Sequence, residues 1–413
     1  MDLSGLVLPR EVLLGPVLGT EAGEVDEGPK ALAASHQLDA RRPRSCVLVA
    51  AVLGLLCGTL LVCGCGSRTG RSSAATDAQP PETPCSISSA AVSPDGKQVA
   101  ISVSHYTGDR FASAGLWVVD TVDGSATVVL ESPSVELRSP SWSADSKRVA
   151  VTCNSGGGSG IKVLNMERLQ LLDVVGPAEG RFCLGPRMSP DGRKVAYVRI
   201  SDGTPTVCVA DADGLAPPID LVRGKTFDGI DPMSLSWSTD RRLLYYLSSR
   251  DGLVCAVDVA AGEVATVGTL PAKGFSGRVV PSPDGRWLLC TVWASEGDGD
   301  GVWLMSAGSG EVTVLPSASP RPNAAWSPTG SQVVWEEAAS QKESGLFVCD
   351  VSTGRSTHVA GTGEQDEVAA QHAWTEDGRV FFVRDRRAVM VVAARGGARE
   401  TEVWSASAAV RRQ

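Results

Sequence analysis

Seven times along the chain, a short apolar stretch runs into a polar turn and a second apolar stretch follows at once. The turns have the form Ser/Thr-x-Asp-Gly or a close variant, in which aspartate hydrogen-bonds locally and glycine supplies a positive φ. They begin at Ser93, Ser143, Ser189, Ser238, Ser282, Ser327 and Thr375. The intervals, measured at the third turn residue, are 44 to 50 residues, inside the period of a four-stranded propeller blade. The pattern predicts an all-β, seven-bladed β-propeller with antiparallel blades.

A second marker supports this interpretation independently. About 25 residues after each turn, an apolar stretch ends in a polar residue, usually with glycine four positions later, as at Asp120 and Gly124. Two turns per repeat join three strands, and a fourth strand lies outermost. From the inside outward, the first repeat is predicted to place its strands at 88–92, 98–103, 116–119 and 127–130.

Tryptophan occupies one position just before the turn in four repeats. These residues are Trp142, Trp237, Trp326 and Trp374. We interpret them as packing between blades, in preference to an aromatic ligand cage.

The stretches Trp326-Ser327-Pro328 and 189–197, which begins Ser189-Pro190-Asp191-Gly192, resemble the WD-repeat-like propeller motif of the TolB family. The resemblance covers residues 85–413 and implies a propeller of 47 residues per blade. It extends to the propeller module and not to TolB as a whole, since no room is expected for the additional α/β domains of TolB or of prolyl-oligopeptidase relatives.

Ahead of the repeats, the 20 residues from Cys46 to Cys65 carry no charge, which is long enough to cross a bilayer. Arg41, Arg42 and Arg44 precede them and predict a cytoplasmic N-terminus by the positive-inside rule. The organisation expected is a cytoplasmic, disordered tail at 1–44, a transmembrane helix or signal-anchor at 45–66, a flexible linker at 67–84 and an extracytoplasmic propeller at 85–413.

The membrane segment has a second interpretation. Val62-Cys63-Gly64-Cys65 resembles a bacterial lipobox, in which Cys65 would carry a lipid after cleavage. Cys63 is an unusual residue at its position in a lipobox, and the 44-residue N-terminal stretch is long for part of a signal peptide. An uncleaved span is therefore preferred. A translation start near residue 38 would favour the lipoprotein.

Charge and cysteine content narrow the class of protein. The net charge of −9 and the pI near 5.1 argue against nucleic-acid binding, which needs a concentrated basic face. Seven of the 11 cysteines lie beyond the apolar segment, so at least one is unpaired, and no C-x-x-C pair suggests a metal. Cys208 and Cys255 stand where other repeats have large apolar residues, which predicts small core side chains.

Signals of catalysis are sparse. The chain has four histidines and no G-x-S-x-G elbow, and the glycine-rich stretch 156–160 is interpreted as a flexible connection between strands. We therefore expect no cofactor, no bound metal and a non-enzymatic role.

The sharper functional clue lies on the innermost strands, four residues before each turn. Small residues dominate that position in the first four repeats, whereas the last three carry Arg278, Asn323 and Gln371. A guanidinium and two amides on neighbouring strands predict a polar wall for a ligand, with solvation in a water-filled channel as the competing interpretation.

These features favour a membrane-tethered, extracytoplasmic propeller, of bacterial type, that binds a protein, peptide or glycan partner as a scaffold. A propeller-based hydrolase or lyase is the first alternative. The sensor domain of a signalling protein, whose residues 1–44 contact a cytoplasmic partner, is the second.

Overall fold

Seven four-stranded antiparallel sheets, each made of four consecutive strands, form the blades of a propeller. The computed structural model describes residues 85–107, 110–224, 229–248, 250–271, 275–294, 301–315, 320–337, 345–361, 367–368, 373–394 and 399–405. The predicted tail, membrane segment and linker lie outside these residues. Within them, no helix has the length and apolar character that a bilayer crossing requires.

The strands follow the chain from the inside of each blade outward. Blades one to four comprise β1 (Cys85–Val92), β2 (Gln98–Thr107), β3 (Arg110–Asp120), β4 (Ala126–Ser132), β5 (Glu136–Trp142), β6 (Arg148–Ser155), β7 (Gly158–Asn165), β8 (Gln170–Val175), β9 (Arg181–Met188), β10 (Lys194–Ser201), β11 (Thr204–Asp211), β12 (Ile219–Arg223), β13 (Ser236–Trp237), β14 (Leu243–Ser248), β15 (Leu253–Asp258) and β16 (Val264–Thr269). Blades five to seven comprise β17 (Phe275–Pro281), β18 (Trp287–Ala294), β19 (Gly301–Ser306), β20 (Val312–Leu315), β21 (Pro320–Trp326), β22 (Gln332–Glu337), β23 (Gly345–Asp350), β24 (Arg355–Gly361), β25 (Glu367–Val368), β26 (Arg379–Arg384), β27 (Ala388–Ala393) and β28 (Thr401–Ser405). The predicted seven-bladed, all-β fold is confirmed.

The repeated turn works as a small hydrogen-bonded unit. In blade one, the hydroxyl of Ser93 donates to Asp95 Oδ1 at 2.7 Å and accepts the backbone N–H of Gln98 at 2.9 Å. The same pair of bonds recurs in blades two to five. Gly96 has φ of 69°, a conformation that favours glycine. The turn thus fixes the register of the first two strands in each blade.

The tryptophans before the turns join neighbouring blades, which confirms the packing interpretation. The indole N–H groups of Trp142, Trp237 and Trp326 each donate at 2.9 Å to a backbone carbonyl of the preceding blade. Clusters of buried apolar residues fill the spaces between blades, so the hydrophobic core lies between the sheets.

The ring closes through contacts between blades seven and one, and among the residues that the structure describes no strand belongs to both sheets. Trp404 packs edge-on against Trp117, with ring centroids 5.8 Å apart. Arg379 Nη2 donates to the carbonyl of Gly96 at 3.1 Å, and the backbone N–H of Ile87 donates to the carbonyl of Arg386 at 2.6 Å. In the described part of the chain, side-chain packing and a few hydrogen bonds join the two blades.

Two local expectations need correction. The stretch 156–160 is not wholly a connection, because β7 begins at Gly158 and only Gly156 and Gly157 form the turn. A Cβ on Gly160 would lie 2.1 Å from the carbonyl oxygen of Val175, so this glycine permits close backbone approach within a blade. The first-repeat strands are also longer than predicted, with β3 extending from Arg110 to Asp120.

Candidate functional site: a charge cluster on the inner strands

Arg278 lies on β17, the innermost strand of blade five, and is 9% exposed. Its neighbour Val279 packs in the core between blades four and five, and Val280 packs in the core between blades five and six. Because side chains alternate along a strand, Arg278 projects from the same side of β17 as Val280. Arg278 is the one member of the predicted polar wall whose side chain the structure describes.

The other two members of that wall cannot be placed beside it. Asn323 belongs to β21, but its side chain lies outside the described residues, as does the whole of Gln371. The polar wall formed by Arg278, Asn323 and Gln371 therefore stays a prediction.

Two charged residues that the sequence analysis did not single out lie near Arg278. Arg187, on β9 in blade three, is 6% exposed, and Asp231, just before β13 in blade four, is 5% exposed. One sequence signal marks Arg187: two residues before the turn, the other six blades carry only alanine, serine or valine. No comparable signal marks Asp231, because it lies in an irregular segment ahead of its inner strand.

The guanidinium of Arg187 ties blade three to blade four. Its Nε donates to the carbonyl of Leu235 at 2.9 Å and its Nη2 donates to the carbonyl of Met233 at 3.1 Å, while Nη1 donates to Pro186 at 3.0 Å. The inner strand of blade four, β13, is only two residues long. Arg187 therefore satisfies carbonyl groups that a longer strand ladder would otherwise occupy.

The carboxylate of Asp231 ties blade four to blade five. Its Oδ1 accepts the backbone N–H of Met233 at 2.8 Å. Its Oδ2 accepts the hydroxyl of Ser276 at 2.6 Å and the backbone N–H of Gly277 at 2.8 Å. These two residues directly precede Arg278 on β17.

The three charges affect one another because they are buried together. Burial is the main cause that lowers the pKa of Arg187 to about 9; the positive charge of Arg278 acts in the same direction, and Asp231 opposes it. Burial raises the pKa of Asp231, whereas its hydrogen bonds to Ser276 and Gly277 and the charge of Arg278 oppose that rise. Arg187 remains protonated at neutral pH, so the cluster presents guanidinium groups on the inner strands.

The cysteines of the blades are structural. The seven cysteines from Cys85 to Cys349 in the described residues are free and buried. Cys208 lies directly across from Tyr197 in blade three, and Cys255 from Tyr246 in blade four, within the core. This confirms that they serve as small core side chains beside large neighbours.

One cross-strand pair, Cys85 and His105, resembles a cysteine nucleophile beside a histidine base. Cys85 is the cross-strand partner of His105, whose Nε2 lies 3.8 Å from Glu131 Oε1. Burial raises the pKa of the Cys85 thiol, with Arg387 opposing, so the thiol is not activated as a thiolate. Among the residues that the structure describes, no three His, Cys, Asp or Glu side chains are grouped to hold a metal ion.

We expect the blade cysteines to resist alkylation in the native state. Burial raises the pKa of Cys183 to about 11 and that of Cys208 and Cys290 to about 12. Peptide mapping after iodoacetamide treatment at pH 8 should find these three unlabelled until the protein is unfolded. Since the folded state disfavours the thiolate, stability should also fall as the pH rises above about 8.5, the ordinary thiol pKa. Rapid native labelling of Cys208 at pH 8 would contradict the assignment.

Comparison with known proteins places the chain among propellers. A curated relative, dipeptidyl-peptidase 5 of Porphyromonas gingivalis, is 25% identical over 341 residues, covering 77% of this chain and 46% of that protein. The chain thus spans about half the length of this relative. An oligogalacturonate lyase in complex with manganese is 14% identical with a TM-score of 0.56, over 74% of this chain and 88% of that chain. The β-propeller domain of the Trilobed protease from Pyrococcus furiosus is 14% identical with a TM-score of 0.54, over 77% and 95%.

These structural likenesses concern the fold, since the identities are low. The sequence itself matches the TolB beta propeller domain over residues 106–376, more than half of the chain. With seven blades built on the Ser/Thr-x-Asp-Gly turn or a close variant of it, the protein belongs to the TolB β-propeller domain family.

Proposed function

We propose that this protein is a membrane-tethered, extracytoplasmic binding propeller that holds a partner without turnover. The observation that carries the proposal is Arg278, buried on an innermost strand beside Arg187 and Asp231. A guanidinium can bind a carboxylate or phosphate through two parallel hydrogen bonds. The partner is accordingly a protein, peptide or glycan that presents an anionic group to the inner strands of blades five to seven.

The anionic group gives the proposal a direct test. Replacing Arg278 by alanine removes a charge-assisted hydrogen bond worth about 1.5 to 3 kcal/mol, so affinity should fall roughly tenfold to a hundredfold. The partner is first captured by crosslinked pull-down with the chain, and its affinity is then measured by calorimetry. Arg278→Ala, Asn323→Ala and Gln371→Ala are compared with Arg286→Ala, a control in the same blade whose side chain is 81% exposed.

We expect Arg286→Ala to bind the partner as the unchanged protein does. Equal affinity in all four variants, with folding intact, would move the binding surface to the loops or the outer rim.

The membrane tether belongs to the same proposal. With an uncleaved span from Cys46 to Cys65, protease added to spheroplasts should digest the propeller and spare residues 1–44. Cys65→Ser should leave membrane attachment intact, because the apolar span and not a lipid holds the chain. Western blots against tags at the two ends of the chain report both results. Protection of the propeller would overturn the orientation, and release of Cys65→Ser would favour lipid anchoring at Cys65.

The names of the relatives favour an enzymatic alternative. One is a peptidase and another is a lyase, and in this chain Cys85 is the cross-strand partner of His105, whose Nε2 lies 3.8 Å from Glu131 Oε1. Turnover of dipeptide amides or of oligogalacturonate by the purified chain, lost in His105→Ala, would support this alternative against the binding role.

A further inference from the structure

We propose that Asp231 is a positioning residue that holds Arg278 in place for the anionic group, an inference that rests on the proposed function of Arg278. Asp231 comes from blade four and Arg278 from blade five, so the arrangement links two neighbouring repeats.

The linkage runs through the backbone directly ahead of Arg278. Asp231 Oδ2 accepts both the hydroxyl of Ser276 at 2.6 Å and the N–H of Gly277 at 2.8 Å. An innermost strand has a free edge, because within its own blade it pairs with one strand only. Asp231 supplies a partner for Gly277 on that edge and fixes the start of β17.

Gly277 allows β17 to pack closely against its neighbours. A Cβ at this position would lie 2.4 Å from the carbonyl oxygen of Thr291 and 2.9 Å from Leu247 Cδ1 of blade four. Tight packing and two hydrogen bonds therefore act on the residues next to Arg278, and a small shift of this backbone would carry the guanidinium with it.

Asp231 also forms two hydrogen bonds within blade four. Its Oδ1 accepts the N–H of Met233, and its own backbone N–H donates to the carbonyl of Leu247 at 2.9 Å. Asp231 also opposes the lowering of the Arg187 pKa that burial and the charge of Arg278 cause. Asp231 thus joins the irregular segment of blade four to the backbone that precedes Arg278.

The test compares three graded variants with a matched control. Asp231→Ala removes all three side-chain hydrogen bonds, Asp231→Asn keeps one oxygen acceptor, and Ser276→Ala removes only the hydroxyl donor. The control is Ser234→Ala: Ser234 Oγ donates to the carbonyl of Asp231 at 2.8 Å and accepts Leu247 N–H at 2.8 Å, so its loss loosens the same segment without touching β17.

Two measurements are made on the full chain. Calorimetry with inorganic phosphate as the probe reports anion binding, and phenylglyoxal modification followed by mass spectrometry reports the accessibility of Arg278. We expect phosphate affinity to fall at least tenfold in Asp231→Ala and less in Asp231→Asn and Ser276→Ala. Modification of Arg278 should become several-fold faster in Asp231→Ala, and Ser234→Ala should match the unchanged protein in both measurements.

The outcomes separate this inference from the proposed function. If Arg278→Ala abolishes phosphate binding and Asp231→Ala does not weaken it, the positioning role is overturned and the role of Arg278 stands. If Arg278→Ala binds phosphate with unchanged affinity, the proposed anion-binding role of Arg278 is wrong. An unchanged modification rate at Arg278 in Asp231→Ala overturns the positioning role in either case. If Asp231→Ala does not fold, the same two measurements on Asp231→Asn and Ser276→Ala test the positioning role of Asp231.

Discussion

Deleting one complete repeat, residues 282–326, should abolish the cooperative folding of the propeller. The deletion removes β18 to β21 and joins β17 to the turn before β22, which removes six of the nine buried residues of the apolar cluster between blades five and six. Six remaining blades would each have to turn further toward their neighbours to bring Trp404 back to Trp117. Among the described residues no strand is shared across that closure, and side-chain packing and a few hydrogen bonds oppose opening of the ring.

Urea unfolding followed by tryptophan fluorescence measures this effect, with size-exclusion chromatography as a second observable. The unchanged chain should unfold in a sigmoidal transition, and the deletion variant should show none and elute as an expanded or aggregated species. Thr313→Ala, at an exposed position on the outer strand β20, serves as the control and should unfold normally. A compact six-bladed product with a sharp transition would show that the blade interfaces adapt to a smaller ring.

Arg187→Ala should destabilise the propeller by about 3 to 5 kcal/mol, the cost of removing one partner from a buried charged network. Three backbone carbonyls, those of Pro186, Met233 and Leu235, would lose their hydrogen-bond donor in a buried environment. The same change leaves Asp231 with one fewer neighbouring positive charge. The midpoint of urea unfolding reports the loss.

Two further variants sharpen this test. Arg187→Lys keeps a charge, but a single ammonium cannot reproduce the fork of three donors, so an intermediate loss is expected. Arg193→Ala changes an exposed arginine in the turn of the same blade and should alter stability by less than about 0.5 kcal/mol. Equal midpoints for Arg187→Ala and Arg193→Ala would mean that the three carbonyl contacts contribute nothing to stability.

Short-range chemistry explains why the fold was predictable. Each Ser-x-Asp-Gly turn forms within about six residues, as in the bonds from Ser93 to Asp95 and Gln98, so the signal is complete wherever the motif occurs. Repetition of that signal at nearly constant intervals then indicates the number of blades. Tryptophan before the turn was correctly interpreted for a related reason, since an apolar residue at one position of every repeat meets the same neighbouring blade.

The candidate site was only partly predictable. Arg278 stood out because a large charged residue interrupted small residues at one repeat position, and the structure places it on an inner strand. Arg187 carried a similar signal at a different repeat position. Asp231 had none, because Pro232 and Met233 form a turn where a longer inner strand would otherwise run, and its position departs from the repeat.

By itself, the sequence determined the class of fold, the seven blades and the turns that join their strands, because these depend on hydrogen bonds and burial within one repeat. Only the tertiary structure decided that Arg187, Asp231 and Arg278 form one buried charge cluster. Their proximity depends on how three blades meet around the ring, and on the interrupted strand that turns the carboxylate of blade four toward the backbone of blade five. Contacts of this kind join residues more than 40 positions apart, and no local pattern encodes them.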